Sequence, residues 1–187
     1  MKSEPIRSKK KIEMMYHGLM KNSYRDYLLF RLGLNTALRI SDLLKLQVKR
    51  FIHQDGTFKD YLMLNEKKTG KEKKIKLPKL VLDEVAKYVL NYELDSEDYI
   101  FFSFRSPERP LDNSNAWRRL KSVANDCGVE NFGTHSMRKT RCRLIYDETK
   151  NIALVMDMLN HKSPAYTMRY IGISQDEQDK VSQEFIY

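Results

Sequence analysis

Residues 135–170 read HSMRKTRCRLIYDETKNIALVMDMLNHKSPAYTMRY and contain three successive helical patterns. The first begins at His135, the second runs from Asn151 to Leu159, and the third starts at Ser163 with Pro164 in its first turn. Four side chains in this stretch are suited to chemistry on a phosphodiester: His135, Arg138, His161 and Tyr170. The stretch is therefore a candidate reactive site.

The overall composition indicates a folded, basic protein of one domain. The chain has 187 residues, 41% of them hydrophobic and 32% charged, which is enough apolar sequence for a real core. Its net charge of +9 is uneven, since residues 1–81 carry 20 Lys and Arg against 8 Asp and Glu. Such an excess in one half favours a surface that meets a polyanion, although a lysine-rich surface without such a partner fits equally well.

The same composition argues against membrane and disulfide-rich classes. No apolar run approaches the length of a membrane span, and the lysine-rich start lacks the apolar segment of a signal peptide. Cys127 and Cys142 are too few and too far apart for a disulfide framework or a four-thiolate zinc site. The chain is therefore expected in a reducing cytosol.

Apolar spacing predicts an α+β, mainly helical fold with a small antiparallel three-stranded β-sheet or hairpin on one edge. Residues 48–76 are predicted to form strands, with a lysine-rich turn around Gly70 at the tip of a hairpin. Residues 1–8 are expected to be a disordered leader, and the acidic segment 174–187 is expected to dock on a neighbouring protomer. Four further helices are predicted, at residues 9–20, 24–34, 79–92 and about 112–126.

A single arginine, Arg39, interrupts the otherwise apolar segment 35–46. A guanidinium in such surroundings is costly unless it is paired or faces an anion. A buried pair with Asp42 and a side chain that reaches out to solvent are the simpler explanations, and a phosphate contact is the functional one. The lysines of the turn at 67–71 are equally ambiguous, because a solvated turn and a contact with DNA phosphates both fit.

The order of these segments resembles the tyrosine recombinase (phage integrase) family along nearly the whole chain. Asn35–Leu43, which contains Arg39, resembles that family's first arginine box, and Lys68-Thr69-Gly70 resembles its hairpin lysine. His135-Ser136-Met137-Arg138 matches the His-x-x-Arg box, and Leu159-Asn160-His161 followed by Tyr170 matches the last histidine and the nucleophile. Two positions depart from the family pattern, since Ala37 and Asn160 stand where glycine is usual. These departures put the local backbone geometry in question, rather than the reactive groups.

The resemblance implies six catalytic residues: Arg39, Lys68, His135, Arg138, His161 and Tyr170. The arginines would neutralise a phosphorane-like transition state through planar guanidinium contacts, and His161 would donate to a nonbridging oxygen. Tyr170 would be the covalent nucleophile and His135 its proton acceptor, while Lys68 would protonate the departing 5′-oxygen. Tyr166 lies one helical turn before Tyr170 and is the alternative nucleophile, although core packing is its simpler role.

As a member of this family, the chain would be a site-specific DNA recombinase, with residues 1–187 forming a catalytic domain. It resembles either a short form or a piece that lacks the N-terminal DNA-binding domain of larger members. The expected reaction cuts and rejoins double-stranded DNA through a 3′-phosphotyrosine, without metal, cofactor or ATP, in the integration, excision or inversion of a mobile element. The expected partners are DNA, further copies of the chain in a tetramer on two DNA sites and, optionally, an accessory DNA-bending protein, in a bacterial cytosol. The alternatives are a catalytically inactive, integrase-like DNA-binding regulator and an enzyme with a type IB topoisomerase-like relaxing activity.

Overall fold

The computed structural model describes residues 3–66 and 70–173. The helices of this part are α1 (Lys9–Asn22), α2 (Tyr24–Thr36), α3 (Ile40–Leu43), α4 (Lys79–Asn91), α5 (Asn113–Asp126), α6 (Ser136–Thr149), α7 (Ile152–Leu159) and α8 (Pro164–Tyr170). Its strands are β1 (Leu62–Asn65), β2 (Glu72–Ile75), β3 (Phe102–Ser103) and β4 (Ser106–Pro110). The fold is thus mainly helical with small antiparallel sheets, as the sequence predicts, and no helix of the described part is long and apolar enough to cross a membrane.

The predicted three-stranded sheet is wrong, because the described part contains two separate two-stranded sheets. Strands β1 and β2 form the predicted hairpin, with Leu62 opposite Ile75. Residues 48–50 form a short 3₁₀ turn, and Ile52 makes only an isolated bridge to Phe58. The segment before β1 is therefore curled on itself and leaves no third strand to extend the hairpin.

Side-chain caps explain where most helices begin. Ser8, Ser23, Asp112, Asn151 and Ser163 each accept a hydrogen bond from a backbone N–H in the first turn of the following helix. Three helices, α2, α6 and α7, end in left-handed residues, which turn the chain sharply toward the next element.

Two apolar clusters build the interior. The larger one surrounds α2, whose Leu28, Leu29 and Phe30 are fully buried, and it includes apolar side chains of α1, α4 and α5. The smaller one lies between α6, α7 and the end of α8, with Cys142, Val155 and Ile171 among its members. Because α6 packs on α2 and also on α7, it joins the two clusters.

The N-terminal strap, which we define as residues 3–7, corrects the expectation of a disordered leader. The Ile6 side chain is 3% exposed, and its backbone N–H donates to Thr140 Oγ1 at 2.8 Å. The Arg7 guanidinium donates to the carbonyl of Gly172 at 2.6 Å. The strap thus fastens the beginning of the described chain to α6 and to the turn after α8. The predicted docking tail, 174–187, lies outside the described residues.

Candidate active site

A buried carboxylate lies at the centre of the candidate site. Glu66 follows β1 directly, and its side chain is 0% exposed. One oxygen, Oε2, is 3.1 Å from Nη1 of Arg39, and the other, Oε1, is 3.1 Å from Nη1 of Arg138. The structure therefore brings the two predicted arginines together around one side chain that the sequence analysis did not select.

Arg39 is held at the start of α3 by a sharp turn. The preceding helix α2 ends at Thr36, and Ala37 adopts the left-handed conformation with φ 54° and ψ 26°. This is a conformation that glycine adopts readily, and Ala37 adopts it here in spite of its Cβ atom. The predicted pair with Asp42 is secondary, because the closest charged atoms of Arg39 and Asp42 are 3.9 Å apart, farther than those of Arg39 and Glu66.

Arg138 is the more deeply buried of the two arginines. It lies in the first turns of α6, and its side chain is 2% exposed. Besides Glu66, its guanidinium donates to the carbonyl of Ala37 at 2.8 Å and to the carbonyl of Leu159 at 3.2 Å. These contacts link the turn after α2 to the end of α7, so Arg138 both carries charge and joins the elements of the site.

His161 and Tyr170 lie against each other beside the arginines. Their rings have centroids 5.1 Å apart at an interplanar angle of 89°. His161 follows α7 after Asn160, which has φ 56° and again provides a turn where glycine is usual. Nδ1 of His161 lies 3.1 Å from Oγ1 of Thr167 on α8, so the helix that carries Tyr170 also orients the histidine.

His135 and Tyr166 stand at the edge of this group. The His135 side chain is exposed at the start of α6, and its ring centroid is 6.5 Å from that of Tyr170. Tyr166 is 52% exposed, so the expectation that it packs in the core is wrong. Its ring stacks on that of Tyr170, with the ring centroids 6.3 Å apart. The predicted lysine, Lys68, lies outside the described residues.

Burial and charge set the protonation of the site. Burial raises the pKa of Tyr170 to about 12, and the positive charges of Arg138 and Arg39 only partly oppose this effect. Burial also lowers the pKa of His161, and the same two arginines lower it further. In the free protein at neutral pH the phenol is therefore protonated and the imidazole is neutral.

Glu66 remains ionised in spite of its burial. Desolvation raises its pKa, but Arg138, Arg39 and Lys73 together outweigh that effect and bring it to about 2. The ammonium of Lys73 on β2 is 3.7 Å from Oε1 of Glu66 and donates to the carbonyl of Met158 at 2.6 Å. Burial, followed by repulsion from Arg138, lowers the pKa of this lysine. The hairpin is thus tied both to the arginines and to α7.

Three charged residues near the site were not predicted from the sequence: Glu66, Lys73 and Lys139. Only Glu66 lies in a sequence pattern that indicates its burial. Leu62 and Leu64 alternate with exposed residues along β1, and Glu66 continues that alternation on the buried face. Lys73 and Lys139 had no comparable signal, because their burial depends on elements distant in sequence. The Lys139 ammonium lies 4.8 Å from the Tyr170 ring centroid and donates to the carbonyl of Ser3 at 2.7 Å.

This arrangement is suited to a nucleophilic attack on an anionic centre. A tyrosine hydroxyl provides the nucleophile, a histidine provides a proton donor or acceptor beside it, and two guanidinium groups provide positive charge. In the described part, no three His, Cys, Asp or Glu side chains are grouped so as to hold a metal ion.

Comparison with known proteins agrees with this geometry. Residues 7–177 match the Phage integrase family. The chain is 43% identical over 175 residues to the probable integrase/recombinase YoeC of Bacillus subtilis (strain 168), covering 92% of this chain and 91% of YoeC. It is 24% identical over 168 residues to the tyrosine recombinase XerA of Pyrococcus furiosus, covering 89% of this chain but only 57% of that protein. The chain thus spans little more than half of some of its recombinase relatives.

Solved structures share the fold across nearly the whole chain. A crystal structure of XerA recombinase superposes with a TM-score of 0.75 at 17% identity, covering 99% of this chain and 65% of that one. The XerH site-specific recombinase bound to palindromic difH substrate, in a post-cleavage complex, gives a TM-score of 0.74 at 18% identity, covering 97% of this chain and 53% of that one. The family match, the 43% identical relative and the shared fold lead to one conclusion: the chain belongs to the phage integrase family of tyrosine recombinases, which are DNA strand-transferring enzymes.

Proposed function

We propose that this protein is a site-specific DNA recombinase that cuts and rejoins DNA through a 3′-phosphotyrosine on Tyr170. The observation that carries the proposal is the convergence of Tyr170, His161 and two arginines from four separate segments of the chain. Residues 1–187 act as the catalytic domain, in keeping with the structural match to XerA recombinase, which covers 99% of this chain and 65% of that one.

The proposed cleavage step exchanges one phosphoester bond for another. The Tyr170 oxygen attacks the scissile phosphorus, a bond forms between them, and the bond from phosphorus to the 5′-oxygen breaks. The phenolic proton passes to His135, and Lys68 gives a proton to the departing 5′-oxygen. Arg39 and Arg138 stabilise the charge of the transition state. Attack of a 5′-hydroxyl on the phosphotyrosine reverses these steps and reseals a strand without ATP.

His161 has a defined place in this scheme. The hydroxyl of Thr167 donates to the Ser163 carbonyl at 2.8 Å, so its oxygen is left to accept from Nδ1–H of His161. The Nε2 atom of the neutral ring is then an acceptor, and it becomes a donor once the ring takes up a second proton. The negative charge of a bound phosphate favours that uptake, so His161 donates to a nonbridging oxygen only with substrate in place.

The proposed partners are double-stranded DNA and further copies of the chain. A structure of a lambda integrase tetramer bound to a Holliday junction has the same fold, with a TM-score of 0.68, and it supports a tetramer on two DNA sites. The contacts of the described residues give no argument for an accessory DNA-bending protein, and none is part of the proposal. Whether the product is an integration, an excision or an inversion follows from the DNA sites, not from the catalytic residues.

A covalent-trapping experiment tests the proposal. Duplexes that bind the protein are selected from a random library and rebuilt with a nick beside each candidate scissile phosphate, so that cleavage releases a short fragment and cannot reverse. The wild-type protein should form a complex that survives denaturing electrophoresis, and Tyr170→Phe should form none. Tyr166→Phe is the matched control, because it removes a neighbouring hydroxyl on the same helix, and it should still form the complex. A wild-type protein that binds the selected duplexes but never forms the complex would favour the regulator instead.

A further inference from the structure

Glu66 is fixed in place by its neighbours in the hairpin. Its backbone N–H donates to the Lys71 carbonyl at 3.0 Å, and its carbonyl accepts from Gly70 N–H at 2.8 Å. The backbone is thus paired at the base of the turn, while the alternation along β1 directs the side chain into the interior. The hairpin therefore fixes the backbone of Glu66 and the face on which its side chain lies, while Arg39 and Arg138 hold the carboxylate itself.

The surroundings of the Glu66 carboxylate contain more positive than negative charge. Arg39 and Arg138 each place an Nη1 atom 3.1 Å from one of its oxygens, and the Lys73 ammonium is 3.7 Å from Oε1. Asp42 is the other nearby acid, 3.9 Å from Arg39. Three cations in a buried cluster repel one another strongly, so a carboxylate between them is needed to keep both guanidinium groups close together.

The carboxylate lies behind the arginines and leaves part of Arg39 accessible. Nη1 of Arg39 is buried, whereas the side chain as a whole keeps 19% of its surface exposed. The exposed part of the Arg39 side chain is therefore not the nitrogen that faces Glu66. An anion that meets this exposed part does not have to displace Glu66, which distinguishes a supporting carboxylate from one that competes with the substrate.

Asn160 completes the arrangement. Its Nδ2 atom donates to Oε2 of Glu66 at 3.1 Å, and this side chain stands at one of the two positions where the family usually has glycine. A glycine there would leave Oε2 without this donor. The departure from the family pattern is thus explained by a contact with the buried carboxylate.

We propose that Glu66 is a positioning residue for the recombinase reaction, which holds Arg39 and Arg138 in one cradle for the scissile phosphate and is itself oriented by Asn160. This inference rests on the proposed function, since it assigns a role within that reaction. Glu66 does not touch the DNA in this scheme and acts only through the two arginines.

The central test is the rate of covalent-complex formation at saturating DNA. Glu66→Gln keeps the shape of the side chain and removes its charge, so we expect the rate to fall at least tenfold while the DNA dissociation constant changes less than threefold. Glu66→Asp keeps the charge but shortens the side chain by one methylene group, so it should be slowed less. The double variant Glu66→Gln with Asn160→Asp moves the carboxylate to the adjacent position and should recover part of the loss.

A duplex with altered charge at the scissile phosphate distinguishes loss of arginine positioning from a folding defect, because a folding defect would slow cleavage of both duplexes equally. A duplex with a methylphosphonate at the scissile position lacks the negative charge that the arginines neutralise. The ratio of wild-type to Glu66→Gln rates should therefore shrink toward one on this duplex, although it is large on the ordinary phosphodiester. Glu84→Gln is the matched control, because Glu84 pairs with Arg31 at 3.1 Å without contacting the site, and its cleavage rate should equal that of the wild type.

Each outcome decides between the proposals. A wild-type protein that forms no covalent complex contradicts the proposed function, whereas equal rates for wild type and Glu66→Gln contradict only the role of Glu66. A faster Glu66→Gln variant would show that the carboxylate competes with the phosphate. If Glu66→Gln does not fold, as circular dichroism would reveal, the double variant and Glu66→Asp carry the test. Wild-type rates in both of these, and an unchanged rate ratio on the methylphosphonate duplex, would also overturn the inference.

Discussion

Thr167 illustrates how one buried hydroxyl controls a reactive ring. It is fully buried on α8 and lies 3.1 Å from Nδ1 of His161. Thr167→Val keeps the shape but removes this acceptor, so we expect the rate of covalent-complex formation to fall roughly tenfold, because the imidazole loses its fixed orientation. The measurement is single-turnover cleavage of the nicked duplex at saturating protein.

The matched control for this prediction is Thr167→Ser, which retains the hydroxyl and should cleave at close to the wild-type rate. The free energy of unfolding of Thr167→Val should fall by about 2 kcal/mol, because the change removes two hydrogen bonds, to His161 and to the Ser163 carbonyl, each worth about 1 kcal/mol. A Thr167→Val rate equal to that of Thr167→Ser would show that His161 does not depend on this contact.

The charge of Glu66 predicts a specific dependence of stability on acid. Its pKa falls from an ordinary value of 4.5 to about 2, a difference that corresponds to roughly 3 kcal/mol of stability. Because the folded-state pKa is lowered, this contribution is fully present above about pH 4.5 and is lost as the pH falls toward 2. By about pH 3 we expect some 2 kcal/mol of it to be gone.

Urea denaturation of the wild type and Glu66→Gln at a series of pH values measures this contribution of Glu66 to the free energy of unfolding. The difference between their free energies of unfolding should be constant near neutrality and should narrow below about pH 4.5. Taking the difference removes the contributions of the other carboxylates. A difference that stays constant down to pH 3 would mean that Glu66 is not held ionised by the arginines.

At the level of single residues, the sequence predicted which side chains meet at the candidate site better than it predicted the residues that support them. The structure brings Arg39, Arg138, His161 and Tyr170 into one group, and their recognition needed only motifs a few residues long. Glu66 was missed because its importance arises from partners on α3 and α6, whose approach no local pattern reveals. The left-handed turns at Ala37 and Asn160 were likewise hidden, since glycine would normally signal them.

At the level of elements, Gly33 allows α2 and α6 to approach closely. A Cβ atom at this position would lie 2.5 Å from Sδ of Met137, on the helix turn that carries Arg138. Alanine is favoured over glycine within a helix by about 1 kcal/mol, but the overlap costs typically 1–3 kcal/mol. We expect Gly33→Ala to lower the free energy of unfolding, measured by urea denaturation, although helix propensity alone would raise it.

A double-mutant cycle with Met137→Ala identifies the cause of that loss. Met137→Ala alone should be destabilising, because it opens a cavity in the core. Once the methionine is shortened, Gly33→Ala should cost much less or become stabilising. An additive pair of changes would mean that α2 and α6 do not meet at this point.

The helices could be predicted from sequence far more completely than the sheets. Apolar periodicity and capping residues are local signals, and they placed α1, α4 and α5 within two residues of their observed ends. A third strand in the hairpin sheet was expected within residues 48–76, yet residues 48–60 bond to their own neighbours and to the turn at residues 96–98. Strand pairing is a long-range choice, and short apolar runs do not determine it.

At the level of the whole molecule, the net charge of +9 predicts that DNA binding depends strongly on salt. Each phosphate neutralised by a lysine or arginine releases a condensed counterion, and about six such contacts reduce affinity by roughly a thousandfold between about 50 and 200 mM salt. Fluorescence anisotropy with a labelled duplex of arbitrary sequence measures the slope. Sucrose of matched osmolality is the control and should leave the affinity unchanged, whereas an affinity insensitive to salt would contradict a basic DNA-binding surface.

The N-terminal strap has a consequence for how the protein is made. Its contacts join residues 134 and 165 positions apart in the chain, Ile6 with Thr140 and Arg7 with Gly172. Contacts of such long range require the closure of very long loops, and proteins dominated by them fold slowly. During synthesis, α1 and α2 leave the ribosome long before Gly172 does. The strap therefore cannot complete its contacts with Thr140 and Gly172 until both have emerged. Tyr170 therefore reaches its final surroundings only after Gly172 has been synthesised, and a shorter chain has no fully assembled candidate site.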